Sequence, residues 1–127
     1  MPETPAPRYG EVWDTEFDPV TGHEQGGRRP ALIISNDQFN MVPHGLCIVV
    51  PMTTVNRGIA SHIPVEPPEG GLMTPSVLMC EQAKSVSVLR CRKRRGMLAG
   101  DLVQATQTMV GLFLDLDMSQ SLPDATE

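Results

Sequence analysis

Between His23 and Pro30 the chain reads His-Glu-Gln-Gly-Gly-Arg-Arg-Pro, which sets one carboxylate, Glu24, within six residues of two guanidiniums, Arg28 and Arg29. These are the groups needed to grip a phosphate and to move a proton beside it. Gly26 and Gly27 let the backbone turn and leave amides open on a surface without side chains. Pro30 fixes its own φ and biases Arg29 toward an extended conformation, so Arg29 is expected at a rigid loop-to-strand boundary where a side chain can be aimed. Taken alone, the same stretch also reads as a solvated polar hairpin loop, and the rest of the chain has to decide.

Several chemistries find no residues to carry them. His23-Glu24 is not followed by a second histidine at helical spacing, and the histidines and cysteines show no metal-ligand spacing. Gly26-Gly27 is not followed by Lys-Ser or Lys-Thr, so it is no nucleotide phosphate loop, and no Gly-x-Ser-x-Gly nucleophile setting occurs. What remains is cofactor-free chemistry by Arg, Glu, Thr and His. Cleavage of RNA by its own 2′-hydroxyl suits that set, because the substrate brings the nucleophile and the protein need only assist proton transfers and stabilise a charge-rich phosphorane. In that chemistry Glu24 serves either as base or as the partner that orients Arg29, and a threonine hydroxyl donates to the phosphate or steadies the arginine.

The elements that must position these groups follow from pattern. Tyr9 to Phe17 reads as a first strand, with Tyr9, Glu11, Trp13, Thr15 and Phe17 on one face and Val12 on the other. Ala31–Ser35 is a second strand, and a short irregular or helical piece follows Asn36-Asp37. Leu46–Thr53 is a third strand whose continuous apolar run predicts burial on both faces. Ser61–Val65 is a fourth, placed at an edge by Pro64. Ser76–Cys80 is a fifth, with a turn expected near Lys84, and Arg90–Arg95 is a short sixth. Ala99–Leu116 is the one clear helix, with Leu98, Leu102, Ala105, Met109, Phe113 and Leu116 at three- and four-residue steps, widened by Val103 and Val110. That stripe packs on the sheet, with part of it open to a second subunit. Short strands, one terminal helix and no βαβ rhythm predict a mainly β (α+β) domain, a small antiparallel barrel or sheet capped by a helix.

The chain of 127 residues is one domain by length. Residues 1–7 read as a flexible proline-rich arm, 8–117 as the domain and 118–127 as a polar tail. The formal net charge is −5, yet half of the ten basic residues fall between Arg90 and Arg95. That run reads as a locally cationic surface or as an edge strand charged against aggregation. Five aromatic residues are too few for a platform of stacked bases. Cys47, Cys80 and Cys91 form no CxxC pair and are expected as reduced core thiols of a cytoplasmic protein; no stretch reads as a signal peptide or a membrane span.

Five segments in order make the chain resemble the MazF/PemK family of toxin endoribonucleases from type II toxin–antitoxin systems. They are Tyr9–Trp13 with Phe17-Asp18-Pro19, Gly22–Pro30, Ser35-Asn36-Asp37 with Asn40, Val49–Thr54, and Glu81–Val86. The resemblance implies an SH3-like antiparallel barrel of the CcdB/MazF type with a C-terminal α-helix. It also implies a homodimer and metal-independent, sequence-specific cutting of single-stranded RNA that leaves 2′,3′-cyclic phosphate and 5′-hydroxyl ends, with no cofactor. It assigns catalysis to Arg29 and Thr53, with Glu24 in support. It further implies a cognate antitoxin whose disordered acidic and apolar tail blocks the groove. Candidate RNA contacts are Arg28, Gln25, Thr54, Arg57, Gln82 and Lys84, each of which also reads as a loop or surface residue. His23 stands where the family usually has serine. Two rivals stay open: a CcdB-like toxin that inhibits DNA gyrase through protein contacts, and a nucleic-acid-binding module without catalysis.

Overall fold

The computed structural model describes residues 6–18 and 27–116. Most of the arm, the polar tail, and the loop residues His23, Glu24 and Gln25 lie outside the described residues. Seven strands form one antiparallel sheet: β1 (Glu11–Glu16), β2 (Arg28–Ile33), β3 (Leu46–Thr53), β4 (His62–Val65), β5 (Ser76–Met79), β6 (Lys84–Ser87) and β7 (Cys91–Met97). A single-turn helix, α1 (Asp37–Asn40), follows β2, and the long helix, α2 (Gly100–Phe113), follows β7. The order across the sheet is β4-β5-β3-β2-β1-β7, with β6 on β3 beside the main path. The sheet coils toward a barrel but does not close, since no ladder joins β6 to β7 among the described residues.

Alternation along the strands makes two cores. On one face Val12, Leu32, Val50, Met52, Leu78 and Cys80 pack under Leu98, just before α2, and Val103 in its first turn. On the other, Trp13, Phe17, Ala31, Ile33, Cys47, Val49, Val86 and Cys91 fill the inside of the coil. The β3 run is therefore buried on both faces, and β4 lies at one end of the sheet. Fully burying a side chain of this size contributes about 1.5–3 kcal/mol, so both faces of the central strands resist a shift of register.

Three elements differ from the sequence reading. β2 begins at Arg28 rather than Ala31, because β1 is long enough to pair Thr15 with Arg29 and Glu16 with Arg28. The turn expected near Lys84 is instead strand β6, paired with β3 from Lys84–Val49 to Ser87–Leu46. It has one apolar residue, Val86, which is enough to face the inner core but gives no readable period. On α2 the buried line is Val103, Thr106 and Gly111, whereas Ala105 and Phe113 are exposed. Thr106 is tolerated there because its hydroxyl donates to the Leu102 carbonyl at 2.8 Å.

Polar groups pin the ends. Asn40 donates to the carbonyls of Pro7 at 2.9 Å and Ser35 at 3.1 Å, and Ile48 N donates to Ser35 Oγ at 2.8 Å. Pro7, read from sequence as arm, is thus buried and held. Tyr9 O–H donates to Gln107 at 2.7 Å, fastening α2 to the start of β1. The basic run is an edge strand whose charges turn back on β1: Arg94 pairs with Glu11, and Arg95 with Asp14 at 3.1 Å. No helix among the described residues is long and apolar enough to cross a membrane.

Glu11 is the tightest of these anchors, with its side chain 10% exposed. Burial pushes its carboxyl up; hydrogen bonds from the Trp13 indole, Arg94 and the Arg8 amide, with the Arg94 charge, outweigh burial and hold it below the ordinary carboxylate value. A depressed folded-state value contributes stability that is complete above the unfolded value and is lost as pH falls through the folded one. Glu11→Gln is therefore expected to lower stability at neutral pH by about 1–3 kcal/mol. The gap to wild type should narrow as urea unfolding is repeated from about pH 5 downward.

Gly71 supplies a second check. Its φ of +72° disfavours any L side chain, and a Cβ there would overlap the Arg95 carbonyl on β7. Gly71→Ala should lower Tm by roughly 10 °C or more. Gly100→Ala, where a Cβ meets nothing within 4 Å, should leave Tm unchanged or slightly raised in the same thermal melts.

Candidate active site

Arg29 and Thr53 come together through strand register. The β2–β3 ladder pairs Ile33 with Val49, Leu32 with Val50 and Ala31 with Pro51. Carried two residues further, it sets Arg29 opposite Thr53, while the β1–β2 ladder sets Thr15 opposite Arg29 on the other side. Thr15, Arg29 and Thr53 thus form one lateral row, which the β3–β5 ladder continues to Val77. Pro30 restrains the backbone just beside the arginine.

The row opens into a groove of about 360 Å³ lined by Arg28, Arg29, Pro30, Met52, Thr53, Thr54, Val55 and Ser76. Arg29 Nη1 donates to the Met52 carbonyl at 3.4 Å, which holds the guanidinium along the groove wall beside Thr53. The Thr53 hydroxyl accepts from Val55 N at 3.2 Å. That bond fixes the oxygen as acceptor toward the backbone and keeps the hydroxyl proton as a donor. Phe17 N donates to the Gly27 carbonyl at 2.9 Å, and Gly27 N to Asp18 Oδ1 at 3.0 Å, so the chain is tied on both sides of residues 19–26 just before it enters β2. A planar cation beside a hydroxyl donor on a rigid strand end can donate in a fork to a pair of phosphate oxygens and steady the charge that develops on them.

The other candidates are placed as follows. Arg28 and Thr54 are exposed and line the groove. Arg57 is exposed in the loop after β3, Gln82 sits in the short turn Cys80–Gln82, and Lys84 opens β6 opposite Val49; none of these three lines the groove. Glu24 and Gln25 lie outside the described residues.

One lining residue was missed from sequence: Ser76 enters the groove because β5 runs antiparallel to the end of β3, a pairing with no local signal. His62 is buried and bonded through Nε2 to Glu81 at 2.8 Å, while Ser61 Oγ donates to the same carboxylate at 2.7 Å. Burial raises the Glu81 carboxyl, but hydrogen bonds from Ser61 and His62 outweigh it and hold the group low. This network braces the turn that carries Gln82.

The family model of the PemK-like, MazF-like toxin of type II toxin–antitoxin systems matches residues 8–114. The chain belongs to the PemK/MazF toxin family. It is 29% identical over 109 residues to the endoribonuclease toxin MazF of Escherichia coli (strain K12), covering 85% of this chain and 94% of that one. The crystal structure of MazF from Deinococcus radiodurans superposes with a TM-score of 0.81 at 26% identity, covering 89% of this chain and all of that one. A MazE–MazF structure from the same organism gives a TM-score of 0.75 at 26% identity over 90% of this chain. The open coiled sheet with its C-terminal helix is thus the MazF-like fold.

Proposed function

We propose that this MazF-like endoribonuclease toxin cleaves single-stranded RNA at a short sequence without a metal ion, with Arg29 and Thr53 acting on the scissile phosphate. The observation that carries the reading is the shared row of Arg29 and Thr53 at one groove wall. A phosphate entering the groove exchanges with the present contacts of the Arg29 guanidinium, which holds two non-bridging oxygens. Thr53 O–H donates to the same phosphate. The ribose 2′-oxygen attacks phosphorus, its proton passing to a base for which Glu24 is the candidate. The bond from phosphorus to the 5′-oxygen then breaks, and that oxygen takes up a proton. The products are a 2′,3′-cyclic phosphate and a 5′-hydroxyl. Arg28 and Thr54 contact the strand from the groove walls. Gln25, Arg57, Gln82 and Lys84 are assigned to flanking nucleotides.

The chain works as a homodimer in the cytoplasm. The exposed apolar end of α2, with Leu112, Phe113, Leu114 and Leu116, supports an interface between copies. Its other partner is a cognate antitoxin whose acidic and apolar tail covers the groove, supported by the MazE–MazF complexes of similar fold.

The test is cleavage of a long single-stranded RNA in EDTA, wild type beside Arg29→Ala, with the new 5′ ends mapped. Discrete cuts bearing 5′-hydroxyls are expected from wild type, and a rate roughly 10²–10³-fold lower from the variant. Intact RNA across varied sequences would overturn the activity and turn attention to gyrase inhibition. Undiminished cutting by Arg29→Ala would overturn the site.

A further inference from the structure

Cys47 and Cys91 meet inside the inner core with their Sγ atoms 3.7 Å apart, 44 positions apart in sequence. Cys47 lies on β3 and Cys91 opens β7, strands that no ladder joins among the described residues, so the two thiols face each other across the inside of the coil. Their access differs. Cys47 is fully buried, whereas Cys91 is 6% exposed and lines a cavity of about 670 Å³ whose walls include Met41, Val42, Val88, Leu89 and Arg92. Thr15 Oγ1 stands 3.9 Å from Cys91 Sγ.

The contact acts on the two thiols in opposite directions. The hydrogen bond from Cys47, helped by Thr15 and opposed by burial, lowers the Cys91 thiol, while the same contact and burial push Cys47 far up. Cys80 is the contrast: it is buried on the opposite face of the sheet, donates to the Leu78 carbonyl at 3.8 Å, and is pushed up to about 11, chiefly by burial. Two thiols in contact, one of them at the wall of a cavity and lowered by the other, are the arrangement of a reactive and a resolving cysteine.

We propose that Cys47 and Cys91 form a dithiol modification site, at which a hydroperoxide entering through this cavity oxidises Cys91 and Cys47 closes a disulfide across the inner core. Cys91 Sγ attacks one oxygen of hydrogen peroxide; the O–O bond breaks, and hydroxide leaves. Cys47 Sγ then attacks Cys91 Sγ, the S–S bond forms, and the hydroxyl departs as water with a proton. The two thiols lose two electrons and two protons, and one peroxide becomes two waters. Closing the gap from 3.7 Å to the bond length of about 2.05 Å needs an approach of about 1.7 Å. The cross-link would tie β7 to β3, where no ladder does, and close a long loop in the unfolded chain.

The experiment treats the folded full chain with hydrogen peroxide and reads intact mass, peptide mapping and thermal melts, none of which depends on RNA cleavage. The expected result is loss of the mass of two hydrogens, a Cys47–Cys91 peptide, full reversal by dithiothreitol, and a Tm raised by roughly 5 °C or more in the oxidised form. Cys80→Ser should leave all of this intact. Cys47→Ser should trap a sulfenic acid on Cys91 that dimedone captures, and Cys91→Ser should abolish the reaction. No mass change in the folded wild type, a disulfide through Cys80, or no dimedone adduct in a folded Cys47→Ser would overturn the proposal.

Discussion

A slip of one residue between β2 and β3 would turn Arg29 and Thr53 to opposite faces of the sheet. Everything at the groove depends on that slip not happening. The register is held from both sides, because Val12, Leu32 and Val50 lie on one buried face while Trp13, Ala31 and Ile33 lie on the other. A shift would move both sets at once into the wrong core. The inward alternation that fixes the strands also sets Arg29 in the same row as Thr15, which is fully buried, and aims it along the wall toward Thr53. Packing on two faces, rather than any single polar contact, therefore sets the distance between Arg29 and Thr53.

Charge is distributed with the same economy. The chain is net acidic, and its densest basic run does not form an open cationic strip. Arg94 and Arg95 pair with Glu11 and Asp14 on β1, and Arg90 donates to the carbonyls of Glu16 and Asp18. Exposed pairs of this kind contribute little each, but Glu11 is nearly enclosed and ties Arg8, Trp13 and Arg94 together. Of the run, Arg92 and Lys93 are exposed on an edge strand, a charge placement that also deters pairing with another sheet. The cations at the groove are instead Arg28 and Arg29.

The sequence was most readable where one residue type has one use. The unbroken apolar run of β3, the proline that puts β4 at an edge and the long periodic α2 were all expected and are all present. β6 was not, because Lys84-Ser85-Val86-Ser87 carries a single apolar residue and owes its strand form to the free side of β3. The start of β2 was misplaced for a related reason: Arg28 and Arg29 look like loop, and only the length of β1 makes them strand. At the site, Arg29 and Thr53 were marked by motif, but their meeting required a register that no local pattern encodes. Ser76 and the buried His62–Glu81 pair depend on strands far apart in sequence and left no signal to read.

The central claim is that Arg29 and Thr53 act on one phosphate as a unit, which a double-mutant cycle measures directly. Single-turnover RNA cleavage by wild type, Arg29→Ala, Thr53→Ala and the double variant gives the coupling. Residues that work as a unit lose most of their effect with the first deletion, so the double variant should cleave within about threefold of Arg29→Ala alone. Losses that multiply in full would mean that the two side chains act independently, and that the shared row is a feature of the sheet rather than of the chemistry.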